Sequence, residues 1–112
     1  MFGRTTHQDV TPHDANAPAD GHVLLDVREL HEWAAGHAPH AVHLPLSELH
    51  PDRLPLASTL MVVCRSGGRS QRAVGALLKA GYQAVNVAGG MSAWEASGLP
   101  LVRSDGQPGT VI

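Results

Sequence analysis

Only one cysteine, Cys64, occurs in the 112 residues, so no disulfide can form within the chain and no second thiol can exchange with the first. A solitary cysteine suits a reducing compartment, and the expected location is the cytoplasm. Charge is sparse as well. Charged residues make up 16% and the formal net charge is -2, which gives the chain no general attraction for phosphate backbones or anionic lipid. Nucleic acid and membrane surfaces are therefore not expected partners. Long apolar runs are missing too: the longest, Leu60 to Cys64, falls far short of the ~20 residues of a membrane-spanning helix. The opening MFGRTTHQDV lacks the apolar stretch of a signal peptide.

What is present describes one folded domain. Apolar residues are 43% of the chain, well away from the weakly hydrophobic, highly charged composition of disordered segments. The expected organisation is an N-terminal arm over 1–19, a domain over 20–103 and a tail over 104–112. Residues 1–20, polar and carrying Pro12 and Pro18, read as a loosely ordered arm. His22 to Val27 (HVLLDV) is too continuously apolar for a sheet open on one face and reads as a buried strand. A helix follows, with Leu30, Trp33 and Ala34 as its apolar face and Gly36 as its stop.

Ala41 to Leu46 reads as a second strand and Leu60 to Cys64 (LMVVC) as a central third. From Arg69 the period changes to 3.6, with Ala73, Val74, Leu77 and Leu78 on one face and Gly81 behind them. Ala84 to Val87 is a further strand, Met91 to Ser97 a short helix, and Leu101 to Arg103 a last edge strand before a turn-rich tail. Strands alternating with helices of this size imply an α/β domain, its mostly parallel sheet covered by helices on both faces.

Such sheets place their sites beyond the carboxyl ends of the strands. Three of those ends carry suggestive residues: Asp26 with Arg28, Cys64 with its loop, and Gly89 with Gly90. CRSGGRS carries the most weight. Gly67 and Gly68 allow consecutive backbone N–H groups to turn inward as an anion-binding nest, and a helix N-terminus adds unpaired donors. Arg65 and Arg69 add positive charge. The same field stabilises a thiolate and is expected to lower the Cys64 pKa below that of an ordinary thiol. A cysteine ending an apolar strand is ordinarily a small packing residue, but packing has no use for two arginines and a glycine pair. Asp26, Arg28 and Ser70 are supporting residues; Arg28 is positioned to pair with Glu32 at i, i+4.

All eight histidines lie between His7 and His50. The run His37, His40, His43 straddles Pro39, so its rings would not share a helical face, and its spacing matches no tetrahedral zinc set. Solvated loop and strand-edge histidines are expected, with no metal and no cofactor.

The segments LLDVRELHEWAAGHAPHAVHLPL, CRSGGRS and NVAGGMSAWEASGLPL, in that order and spacing, resemble a single-domain rhodanese-like sulfurtransferase over roughly residues 20–102. The resemblance implies a five-stranded parallel sheet flanked by helices. It implies a persulfide on Cys64, with the donor anion held by the loop amides of Arg65, Ser66, Gly67, Gly68 and Arg69 and by a basic residue, here Arg65 with Arg69. One departure is GHAPHA where the family usually shows GHIPGA. It places Ala38 and His40 at positions that bear on local packing and rim polarity rather than on the chemistry.

The activity expected is transfer of sulfane sulfur from thiosulfate or a related small anion, through Cys64, to cyanide, a thiol or a partner protein. Two alternatives remain. One is a sulfur-relay or protein-binding module without small-molecule turnover. The other is a cysteine-dependent phosphatase or arsenate reductase, whose loop sets five residues between cysteine and arginine. Here four separate Cys64 from Arg69, a tighter cradle than a phosphoryl centre attacked by sulfur requires.

Overall fold

The structure is a computed structural model and describes residues 9–112. Strand β4 (Thr59–Val63) lies in the middle of the sheet because both of its faces are apolar. Leu60 and Val62 join a core with Ala73, Val74 and Leu77 of helix α3 (Gly68–Lys79), while Met61 and Val63 join a second core with Met91 and Trp94 of helix α4 (Gly90–Ala96). The two-residue repeat of a strand makes this division. Each fully buried side chain of this size contributes about 1.5–3 kcal/mol.

Strand β2 (His22–Asp26) pairs with β4 along its whole length, and strand β5 (Ala84–Val87) flanks β4 on the other side. Strand β3 (Val42–His43) forms one edge and strand β1 (Asp9–Val10) the other, in the order β1-β5-β4-β2-β3 with every pair parallel. Helix α1 (Pro12–Asn16) supplies Ala15 to the core shared with α4. The result is an α/β domain with a five-stranded parallel sheet and helices on both faces.

Two expectations are corrected in the strands. The fifth strand is Asp9–Val10, not 101–103, where Val102 makes only isolated antiparallel bridges, to His37 and to Pro108. From Asp9 onward the arm is ordered: Thr11 caps α1 through the Asp14 amide (3.1 Å), and the Asp14 carboxylate accepts from the Thr11 amide (3.3 Å). Residues 1–8 lie outside the described residues. The second predicted strand shrinks to Val42–His43, although Leu44 and Leu46 still donate their N–H groups to the Asp26 and Val27 carbonyls.

Helix α2 (Leu30–Ala35) turns a different face inward from the one its apolar spacing suggests. Leu30 is 67% exposed and Glu32 is buried. The tail folds back across the end of this helix, where Thr110 donates its N–H to the Ala35 carbonyl. Gly36 is required there, because a Cβ would overlap the Thr110 backbone.

Candidate active site

Cys64 continues β4 past its last paired residue, so its Sγ sits at the carboxyl edge of the sheet, where the chain turns into α3. Gly67 makes that turn with φ 131°, a conformation closed to most side chains. Its amide thereby points at the sulfur and donates to Sγ over 3.1 Å. Open space surrounds the positions a Cβ would take on Gly67 and Gly68, so the loop faces solvent at its glycines. The back of the loop is clamped. The Met91 and Ser92 amides donate to the Cys64 and Arg65 carbonyls at 2.8 and 2.9 Å. Gly90, with φ 62°, permits the approach, since a Cβ there would collide with the same two carbonyls.

Burial of the Cys64 side chain raises its pKa, but the hydrogen bond shared with the Ser70 hydroxyl and those with the Ser70, Gly67 and Ser66 amides outweigh it, and the thiol lies below its ordinary value. Ser70 Oγ is 3.3 Å from Sγ and also contacts the Gly67 carbonyl at 3.1 Å and Asn86 Oδ1 at 2.6 Å. Asn86 Nδ2 donates in turn to Asp9 Oδ1 at 3.2 Å. Asn86 and Asp9 were not singled out from the sequence. The available signal was a lone amide inside the apolar strand AVNV.

The two loop arginines are separated in role. Arg69 binds Glu32 through a bidentate pair, Nη1 to Oε1 at 2.7 Å and Nη2 to Oε2 at 2.8 Å. The Arg69 hydrogen bonds hold the Glu32 carboxyl down at about 2 against the opposition of burial. Arg65 is exposed and donates from Nε to the Ile112 main-chain oxygen at 2.8 Å.

The expected Arg28–Glu32 pair does not form. Arg28 doubles back on Asp26 with Nη2 to Oδ2 at 2.8 Å, both side chains fully buried, and Nη2 also reaches the Gly36 carbonyl at 2.8 Å. Asp26 and Arg28 thus tie β2 to the end of α2. Among the described residues neither hydrogen-bonds to the cysteine loop. Glu32, absent from the sequence-based candidates, takes Arg69 because the fold brings α2 and α3 together at the carboxyl edge of the sheet.

The histidine run is more engaged than the solvated loops expected of it. His37 Nδ1 donates to the Trp33 carbonyl (2.8 Å), His40 Nε2 to Ala15 (3.1 Å) and His43 Nε2 to Arg28 (2.7 Å). The Trp33 ring stacks on those of His37 and His43 at 3.6 and 4.8 Å. No helix of the described residues is long and apolar enough to cross a membrane.

An α/β sheet with a cysteine cradled by amides at its carboxyl edge defines the class, and comparison with known proteins agrees. The model of the rhodanese-like domain matches residues 11–97, and the chain belongs to that family. It is 37% identical to a sulfurtransferase of Allochromatium vinosum over 75% of this chain and 81% of that one. It is 39% identical to thiosulfate sulfurtransferase 16 of Arabidopsis thaliana over 71% and 79%. An uncharacterized protein of Synechocystis is 38% identical over 83% of this chain, which spans only 54% of that relative. The crystal structure of a rhodanese-related protein from Thermoplasma volcanium superposes with a TM-score of 0.77 at 31% identity, covering 86% of this chain and 98% of that one.

Proposed function

We propose that the chain is a sulfurtransferase that moves sulfane sulfur from thiosulfate, or a related small anion, through a persulfide on Cys64 to an acceptor outside the chain. The observation that carries this reading is the Gly67 amide aimed at Sγ over 3.1 Å, beside the Ser70 hydroxyl, at an open mouth. In the first half-reaction the Cys64 thiolate attacks the outer sulfur of thiosulfate. The S–S bond of the donor breaks, and sulfite leaves with its electron pair. In the second half, a cyanide, thiolate or partner cysteine attacks the outer persulfide sulfur and Cys64 departs as thiolate. The loop amides disperse the negative charge at both stages.

Arg65, exposed beside the loop, meets the oxyanion end of the donor. Arg69, neutralised by Glu32, serves chiefly to brace the loop against α2. Asp26 and Arg28 hold the scaffold beneath. The protein acts without a cofactor and in the cytoplasm. The names of its relatives support sulfur transfer, and a small anion as donor is supported by the Gly67 amide and the exposed Arg65 beside the sulfur.

Mass spectrometry after incubation with thiosulfate tests the proposal. The intact protein gains one sulfur atom, located at Cys64, and the Cys64→Ser variant gains none. An unmodified wild-type protein, or sulfur on another residue, overturns it.

A further inference from the structure

Ser70 Oγ carries one proton and faces three acceptors: Asn86 Oδ1 at 2.6 Å, the Gly67 carbonyl at 3.1 Å and Cys64 Sγ at 3.3 Å. The shortest contact takes the proton. Asn86 presents its oxygen to Ser70 because its Nδ2 is committed to the Asp9 carboxylate, which can only accept. With the Ser70 proton on the Asn86 side, Ser70 offers Cys64 a lone pair, which suits a neutral S–H. When the sulfur is ionised, the same proton must swing to Sγ. Asn86 Oδ1, in a residue only 2% exposed, then loses its donor.

We propose that Asn86, oriented by Asp9, is a positioning residue for the reacting cysteine: it competes with Sγ for the one Ser70 proton and so sets how readily the sulfur holds negative charge. This rests on the sulfurtransferase reading only in taking Cys64 as the reacting atom. It also gives the edge strand β1 a part in the site, since Asp9 reaches Cys64 through two side chains. The charged groups bearing on this region are Arg69 of α3, paired with Glu32 of α2, Arg65 of the loop, bound to Ile112, and Asp9 itself. Glu95 of α4 is engaged by the Val111 amide. None of them competes for the Ser70 proton.

The test is the rate of Cys64 alkylation by iodoacetamide against pH, which needs no sulfur donor. Asn86→Leu keeps the side-chain shape but removes the competing acceptor, so the Ser70 proton turns to Sγ and the midpoint falls by roughly 0.4–1 pH unit. Asp9→Ala changes an exposed side chain and lets the Asn86 amide rotate to donate to Ser70. Its midpoint falls in the same direction, and it carries the test if Asn86→Leu fails to fold. On a Ser70→Ala background neither substitution moves the midpoint, an outcome that a general loosening of the strand would not give. An unchanged or raised midpoint in Asp9→Ala, or a shift that survives in Ser70→Ala, overturns the proposal. If the midpoints move as stated but thiosulfate adds no sulfur to Cys64, the positioning role stands and the functional reading falls.

Discussion

Arg69 and Glu32, 37 residues apart in the chain, face each other as two flat forks joined by parallel hydrogen bonds. The Glu32 carboxyl in the folded protein is held at about 2, against 4.5 for the unpaired group. A depressed carboxylate stabilises the fold above the unfolded value and loses that contribution as pH falls toward the folded one. Urea denaturation should therefore show stability dropping by roughly 2–3 kcal/mol between about pH 4.5 and pH 2 from this group. Glu32→Gln should be less stable at neutral pH and flatter across that window. Equal slopes in the two proteins would show that the pair contributes nothing.

The arginines should separate in kinetics. Arg65→Ala is expected to raise the KM for thiosulfate with little change in urea midpoint. Arg69→Ala strands a buried carboxylate and should cost about 2 kcal/mol or more of stability. Steady-state assays alongside denaturation curves distinguish the two patterns, and identical behaviour would mean that the pairing does not divide their roles.

Cys64→Ser preserves the size of the side chain and its hydrogen-bonding partners while removing the sulfur nucleophile. Thiosulfate:cyanide transfer should vanish and circular dichroism should be unchanged. Activity within about tenfold of wild type would exclude Cys64 as the nucleophile. The wild-type protein should also hydrolyse aryl phosphates negligibly, and efficient turnover would favour phosphatase chemistry.

Gly90 lets α4 press its first amides against the loop carbonyls. Gly90→Ala places a Cβ into that contact at a left-handed φ and should lower stability by about 2 kcal/mol or more. It should also lower kcat/KM for sulfur transfer as the loop shifts. Gly68→Ala, next to open space, serves as the comparison and should be close to wild type in stability. Similar losses in both would point to general loop sensitivity instead of the clamp.

With one sulfhydryl in the chain, no internal thiol can resolve a persulfide. Persulfidated protein freed of thiosulfate should keep its extra sulfur in plain buffer and release it in proportion to added thiol. Intact-mass measurements over time would show this, and release at one rate regardless of thiol concentration would contradict it.

The parts of this molecule that could be read in advance are those where local composition decides the structure. HVLLDV, LMVVC and AVNV are short apolar runs between breakers, and each became a buried strand; CRSGGRS announced a turn that aims amides at sulfur. What could not be read depended on distant partners. Asp9–Val10 is a strand only because β5 offers it an edge 77 residues later. Glu32 faces inward against its own helix's apolar spacing because Arg69 waits there. Residues 101–103 have strand-like composition, but Val102 finds only isolated one-residue bridges, to His37 and to Pro108. Periodicity records what a segment prefers, while these outcomes turned on what lay opposite.

Among the described residues the two margins of the sheet are its shortest strands, Asp9–Val10 and Val42–His43, and each is followed two residues on by a proline, Pro12 and Pro45. A proline has no N–H to offer an incoming chain, and a two-residue margin gives another molecule almost nothing to zip onto. The runs with the greatest appetite for foreign β-structure, LMVV and VLL, lie inside these short borders. The fold thereby guards itself against edge-to-edge aggregation while its cysteine loop stays open at the carboxyl edge of the same sheet.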